Sequence, residues 1–205
     1  MIYKLIFLTV FLYFLNIFLL KCNFLIDNPS DSFHKIEKKK NIPLSGGIYI
    51  FFSLNLIIIL NYSSLITIKL LFFLILILIL GIFSDIRNNF SPKLRILLQL
   101  LIIVFLVYYN QELLINKTNI NFLDKLIADK YIKFFFTTFC IITLLNGFNF
   151  MDGVNGLVSG YIFFILLVVN LISYKTSGVF NYNEILFVLF IFLIFNVLGK
   201  SFLGD

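Results

Sequence analysis

Apolar residues in this chain do not alternate with polar ones. They gather in charge-free runs at 41–68, 70–84, 96–111, 134–151, 153–174 and 185–199, with a further apolar run at 5–20 after Lys4. Runs of Leu, Ile and Phe approaching about 20 residues match the hydrocarbon thickness of a bilayer when helical. Lipid supplies no hydrogen-bond partners, so a spanning segment is a helix or part of a closed barrel, and barrel strands would alternate. The pattern predicts an all-α, polytopic transmembrane bundle in one membrane domain over 1–205. Seven helices are expected near 5–20, 46–60, 65–83, 95–109, 131–147, 157–173 and 185–199. No small-residue cleavage site follows the first run, which is therefore read as a retained helix rather than a signal peptide.

Composition agrees with the pattern: 61% of the 205 residues are hydrophobic and 13% are charged, with a mean hydropathy of +1.05. Soluble domains average roughly 45–50% apolar and about 25% charged. The net charge of +6 comes from residues spread over the connectors, with no basic stripe interleaved with aromatics, so no nucleic-acid partner is expected. Cys22 and Cys140 form no CxxC pair and no disulfide framework. Enrichment in Ile, Phe, Asn and Lys points to nucleotide bias, which lowers the weight of any single Asn or Lys.

Seven helices divide the connectors between two sides. One side receives 21–45, 84–94, 148–156 and 200–205. The other receives the N-terminus, 61–64, 110–130 and 174–184. Lys35, Lys38–Lys40, Arg87, Lys93 and Arg95 fall on the first side, which the positive-inside rule makes cytoplasmic.

The unusual chemistry falls on that same side. The first connector reads Ile26-Asp27-Asn28-Pro29, then His34, then Lys38-Lys39-Lys40-Asn41-Ile42-Pro43-Leu44-Ser45-Gly46-Gly47. Its lysines suit a phosphate or anionic headgroups. Gly46 and Gly47 open the next helix, where a backbone can approach a ligand closely. The second connector carries Ser84, Asp85, Arg87, Pro92, Lys93, Arg95 and Gln99. Asp85 is read as a metal or catalytic carboxylate, or as a helix-end charge at headgroup level. The third reads Asn146-Gly147-Phe148-Asn149-Phe150-Met151-Asp152-Gly153. On a helix, steps of three residues turn by about 300°, so Asn146, Asn149 and Asp152 fan over about a third of the circumference. They make a hydrogen-bonding, cation-binding face, or else polar glue between closely packed helices. The chain's last stretch is Lys200-Ser201-Phe202-Leu203-Gly204-Asp205, which could also be a frayed tail.

In this order the motifs resemble the polyprenyl-phosphate N-acetylhexosamine-1-phosphate transferase superfamily. That group includes undecaprenyl-phosphate GlcNAc-1-phosphate transferases and phospho-N-acetylmuramoyl-pentapeptide transferases. Asp-x-Pro, His and Pro-x-x-Gly-Gly of the first connector are similar to the GlcNAc branch. Asp85 falls at the second aspartate of the family's Asp-Asp loop. Asn146-x-x-Asn149-x-x-Asp152-Gly153 matches the family's run, and Phe202–Asp205 looks like the start of its Gly-Asp-x-Gly-Ser loop. The resemblance implies Mg2+ held by Asn149, Asp152 and Asp205. It implies Asp85, Asp152 and Asp205 as catalytic, and Lys40, Gly46, Gly47, Asn146, Asn149 and Gly153 as substrate-binding. Asp85, Asn149, Asp152 and Asp205 are expected to converge on one face. The implied partners are a UDP-N-acetylhexosamine, a polyprenyl phosphate and membrane lipid, with a homodimer as one permitted assembly, in a bacterial inner membrane.

Departures accompany the match. Ser84 stands where the family has its first aspartate. Asp31, Ser32 and Phe33 replace the Arg-Lys before the histidine, and Asp205 ends the sequence where the family continues. Three readings follow: a transferase, a C-terminally truncated non-catalytic remnant of one, or an unrelated helical transporter. The orientation is directly testable. Cysteines placed at 38–40 should label from the cytoplasm and a cysteine at 120 from the opposite side; cytoplasmic labelling of residue 120 would reverse the assignment.

Overall fold

The computed structural model of the chain describes residues 2–27, 41–61, 65–86, 90–152, 154–175 and 182–204. Among these lie eight helices: α1 (Ile2–Cys22), α2 (Gly46–Asn61), α3 (Leu65–Ile86), α4 (Pro92–Tyr109), α5 (Asn121–Leu126), α6 (Lys130–Met151), α7 (Leu157–Lys175) and α8 (Tyr182–Val197). All seven expected apolar helices are present. Three segments are long and apolar enough to cross a membrane: Lys69–Ile86, Pro92–Tyr109 and Lys130–Met151. Shorter apolar stretches are Ile6–Cys22, Gly46–Ile58, Leu157–Ile172 and Tyr182–Val197. Large apolar side chains such as Phe14, Phe72, Ile79, Phe105 and Phe139 remain exposed on these helices. In water such surface would aggregate; in a bilayer it faces the solvent it matches.

Boundaries differ from expectation in informative ways. Helix α3 runs through Ile86, so Ser84 and Asp85 belong to its last turn rather than to the connector. Helix α6 runs to Met151, four residues beyond the expected end. The Asn146 side chain donates back to the Ile142 carbonyl at 2.9 Å, within its own helix, so this asparagine does not interrupt it. The 110–130 connector contains α5 and a 3-10 turn at Gln111–Leu113, neither of which was expected. Their periods are too short for an apolar pattern to reveal.

The chain forms two compact units, residues 1–62 with 151–205, and residues 63–150. In the first, Leu8 and Leu12 of α1, Tyr49 and Ile57 of α2, and Val188 and Phe192 of α8 form the core. Helix α7 lies against α8, with Phe163 and Phe190 ring centroids 5.8 Å apart. A two-residue antiparallel ladder pairs β1 (Ile26–Asp27) with β2 (Ile42–Pro43). It draws together the two ends of the first connector, whose residues between 28 and 40, Lys40 included, lie outside the described ones.

In the second unit, α3 and α4 form a hairpin. Phe73, Ile103, Leu106 and Val107 are its buried centre, and Phe134, Ile141 and Ile142 of α6 pack against it. Ser91 caps α4 by accepting from the Leu94 amide, with Pro92 in the first turn, where its missing N–H leaves no bond unmade. The Ile115 amide donates to Thr137 of α6 at 3.1 Å, tying the long connector to that helix.

Within that connector the amide and hydroxyl of Thr118 each donate to Asp124 Oδ1 at 2.7 Å. The Thr118 hydroxyl, followed by its amide, holds the Asp124 carboxyl below the ordinary aspartate range. A carboxyl with a lowered folded pKa contributes stability above its unfolded pKa and loses it as pH falls through the folded value. Protection of the Thr118 amide, corrected for intrinsic exchange, should therefore persist at neutral pH and vanish only below the ordinary aspartate range. In Asp124→Ala it should be lost at every pH. Equal protection in wild type and Asp124→Ala would show that the carboxylate does not hold the turn.

Candidate active site

The polar residues of the first unit assemble at one end of it, where lipid-facing helices give way to connectors. Asn16 of α1, Ser45 just before α2, Asn196 near the end of α8 and Ser201 beyond it are all buried. The Ser45 hydroxyl donates to Asn16 Oδ1. A hydroxyl has one hydrogen, so Ser201 must be the donor in its 2.7 Å contact with Ser45. Asn16 Nδ2 reaches the Lys200 carbonyl at 3.4 Å. Asn196 Nδ2 donates to the Ser201 carbonyl at 2.9 Å, and its Oδ1 accepts from the Gly156 amide at 2.7 Å and from Ser159 Oγ at 3.1 Å. A recess of about 240 Å³ adjoins this network and shares Asn16 and Lys200 with it.

The main chain completes the assembly. Phe202 N donates to the Pro43 carbonyl at 3.0 Å, Gly46 N to Phe202 O at 2.9 Å, and Gly47 N to Leu203 O at 2.8 Å. Residues 201–204 thus lie across the N-terminus of α2 as a bound strap, with Ser201 and Phe202 buried. The frayed-tail reading fails for these residues, because the first amides of a helix have no partners within it and the strap carbonyls supply them. The glycines of Pro-x-x-Gly-Gly are explained by the same contact. A Cβ on Gly46 would overlap the Phe192 ring and come within 2.8 Å of the Leu203 Cα. The close backbone approach at this helix start is therefore made by the chain's own strap.

These bonds bring the end of the first connector, the 154–156 turn and the terminal strap to one place. All three had been assigned to the same side. Asp152 lies in the turn after α6 and is half-buried. Gly153 and Asp205 lie outside the described residues; Asp205 is bonded directly to the strap through Gly204. Asp85, Asn146 and Asn149 are half-buried and belong to the second unit, Asp85 at the end of α3 and both asparagines in α6. Asn146 and Asn149 are helical as the spacing required, and Asp152 stands one residue past the helix. Among the described residues, a Cβ on Gly147 would meet nothing within 4 Å. In α4, Arg95 is half-buried and Gln99 is buried.

Among the described residues no three His, Cys, Asp or Glu side chains group as a ready-made metal site. Magnesium commonly relies on one or two carboxylates completed by substrate phosphates and water. Asn149 and Asp152 carry hard oxygen donors of the kind that mode uses.

Sequence reasoning gave no role to Ser45 and Ser201, which lie within its motif stretches, nor to Asn16 and Asn196. The available signal was a polar side chain within or bordering an apolar run, where hydrocarbon penalises it. It was discounted for Asn because Asn is common throughout the chain.

Comparison with known proteins adds ancestry. Residues 67–205 match the family described as Glycosyl transferase family 4. A phospho-N-acetylmuramoyl-pentapeptide-transferase of Streptococcus agalactiae serotype Ia is 31% identical over 139 residues, covering 62% of this chain and 38% of that protein. The same-named protein of Streptococcus sanguinis is 29% identical over 136 residues, covering 62% and 39%. The chain thus spans well under half the length of these relatives. No solved structure matches.

The strap contact predicts opposite effects for two glycines. Gly46→Ala should destabilise by about 1–3 kcal/mol through overpacking against backbone. Gly147→Ala should be neutral or stabilising by up to about 1 kcal/mol, because its Cβ is unopposed and alanine favours helix. Thermal unfolding in detergent measures both; an unchanged Tm for Gly46→Ala would mean that the strap does not occupy this helix start.

Proposed function

The chain belongs to glycosyl transferase family 4, and on that footing we propose that it transfers an N-acetylhexosamine-1-phosphate from a UDP-sugar to a polyprenyl phosphate. The observation that carries this reading is the family match itself, since residues 67–205 contain Asp85, the Asn146–Gly153 run and the Lys200–Asp205 stretch. The gathering of three motif-bearing connectors at one end of the first unit supports it. The protein acts in a bacterial plasma membrane, with these connectors cytoplasmic, in the synthesis of cell-envelope polysaccharide or peptidoglycan precursors.

In the proposed reaction an oxygen of the lipid phosphate attacks the sugar-bearing phosphorus. A new pyrophosphate bond forms, the original one breaks, and its electron pair leaves with UMP. Asn149, Asp152 and Asp205 would hold Mg2+, which supplies charge stabilisation to the pyrophosphate and the leaving UMP. Asn146 and Gly153 would contact the nucleotide, and Lys40 would contribute positive charge to a phosphate. Asp85 sits by the lipid phosphate and orients it for attack. Gly46 and Gly47 contribute through the strap of residues 201–204 that they anchor.

Ser84 favours a second reading, a family member of low turnover. A hydroxyl can accept or donate a hydrogen bond but carries no charge, so one anionic group of the family's pair is missing beside Asp85. Removing a group that stabilises transition-state charge costs on the order of 10²–10³ in rate. UMP release by the purified chain with UDP-N-acetylglucosamine, polyprenyl phosphate and Mg2+ should therefore be slow. It should rise at least about tenfold in Ser84→Asp and fall to background in Asp152→Asn, both fractions of that range. UMP release indifferent to Asp152→Asn, or absent from both wild type and Ser84→Asp, would refute transferase activity for this chain.

A further inference from the structure

We propose that the connector between α4 and α6 is a membrane-docking surface that lies in the plane of the bilayer and takes anionic phospholipid headgroups. It belongs to the second unit, at the end away from Asp85, and is independent of the transferase reading. Helix α4 reaches this end at Tyr109, and α6 leaves it at Lys130. Both are long and apolar enough to cross a membrane, so these ends fall near a headgroup layer. Tyr108, Tyr109 and Tyr131 are exposed there. Tyrosine is favoured at that depth because its ring is apolar and its hydroxyl polar.

The connector does not rise straight into water from these ends. The Ile115 amide bonds to the Thr137 hydroxyl. From Lys130, where α6 begins, to Thr137 is about two turns, or about 10 Å along the helix axis. Lys133 Nζ reaches Asn116 Oδ1 at 3.1 Å, about one turn in. The chain thus doubles back along α6 to the depth at which an interfacial helix beds, about 5–10 Å into the headgroup and acyl boundary. Helix α5 follows this return. It turns Leu123 and the buried Ile127 toward the protein. Phe122 and Leu126, one turn apart and therefore on one edge, are 70% and 39% exposed. The spans on either side expose large apolar side chains too, at Phe105 of α4 and Phe135 of α6.

Charge selects the headgroup. Two of the connector's carboxylates are committed to its own main chain. Asp124 Oδ1 accepts from the amide and hydroxyl of Thr118. Asp129 Oδ1 accepts from the Tyr131 and Ile132 amides at 2.9 and 3.0 Å, which caps α6. Glu112, on the 3-10 turn, is the remaining one. Lys125 and Lys130 are exposed. Lys125 lies three residues from Phe122 and so beside it on the helix, and Lys130 adjoins the exposed Tyr131. A lysine lays its stem along apolar surface and lifts its ammonium to the phosphates. An exposed apolar edge flanked by lysines suits a helix lying on an anionic leaflet.

The chain contains no tryptophan, so Phe122→Trp and Asn121→Trp each supply a single fluorescent reporter at an exposed position. Neighbouring helical residues diverge by about 100°, which turns position 121 away from the Phe122–Leu126 edge. The full chain is placed in bilayer nanodiscs of equal parts phosphatidylcholine and phosphatidylglycerol. Acrylamide quenches from the water, and spin-labelled lipids quench from the bilayer. The reporter at 122 should be shielded from acrylamide and quenched more by a label near the headgroup than by one deep in the acyl chains. The reporter at 121 should be open to acrylamide. Headgroup-proximal label on phosphatidylglycerol should quench at 122 at least about twofold more than the same label on phosphatidylcholine, within the roughly fivefold that one lysine near an anionic surface can give. Lys125→Gln together with Lys130→Gln should bring the two lipids to parity. Equal acrylamide quenching at 121 and 122 overturns the proposal. So does parity of the two lipids with both lysines present, or a preference that survives the loss of both. If Phe122→Trp alters helix content by circular dichroism, Leu126→Trp on the same edge carries the reporter and is held to the same outcomes.

Discussion

Hydrocarbon offers no hydrogen bonds, and this constraint governs the first unit more than any packing preference. Helices α1, α2, α7 and α8 are apolar enough to sit in lipid, but each ends in main-chain groups that need partners. Water cannot be relied on where those ends are buried, so the chain supplies partners itself. The strap carbonyls take the first amides of α2, Asn196 takes the Gly156 amide at the start of α7, and β2 receives the Phe202 amide. Removing one side of such a bond leaves a buried group unpaired at a cost of about 1–3 kcal/mol, more than the bond itself contributes. The end of the bundle is therefore held cooperatively, with Asn16, Ser45, Asn196 and Ser201 each needing the next.

The same economy of partners explains the placement of small residues. Gly46 has no side chain because the Phe192 ring and the strap backbone occupy that volume, and Gly156 adopts a left-handed backbone against Val197. Gly147 meets no such neighbour among the described residues. In a glycine-rich motif, tertiary contact and not the motif decides which glycine is structural. The connectors gathered by these contacts are those with the chemical signature of the family, so the bonds that stabilise the end of the unit also organise its candidate site.

Much of this protein was legible in its residues because lipid simplifies the code. The charge-free runs became seven apolar helices, and connector parity correctly grouped the first connector, the 154–156 turn and the terminal strap. The Asn146-x-x-Asn149 spacing placed both asparagines on α6, and the ordered motifs pointed to the superfamily that the comparisons support. Less legible were the ends of helices. Asp85 belongs to α3, and α6 extends to Met151, where Asn146 bonds back to its own helix and lets it continue. The short α5 and the β1–β2 ladder carry no apolar period at all.

What the sequence determined by itself was the solvent, the number of apolar helices, the grouping of three connectors and the residue types available for phosphate and cation chemistry. These follow from local composition and from spacing along one chain. Only the tertiary structure decided which of those residues meet. It showed that Gly46 and Gly47 receive the strap, that residues 201–204 are bound rather than frayed, and that Asn196 joins Gly156 to Ser201 at the start of the strap. The reason is physical: the hydrogen bond between Asn196 and Gly156 joins residues 40 positions apart in the sequence. No local pattern carries the information that two buried polar groups so far apart will satisfy each other.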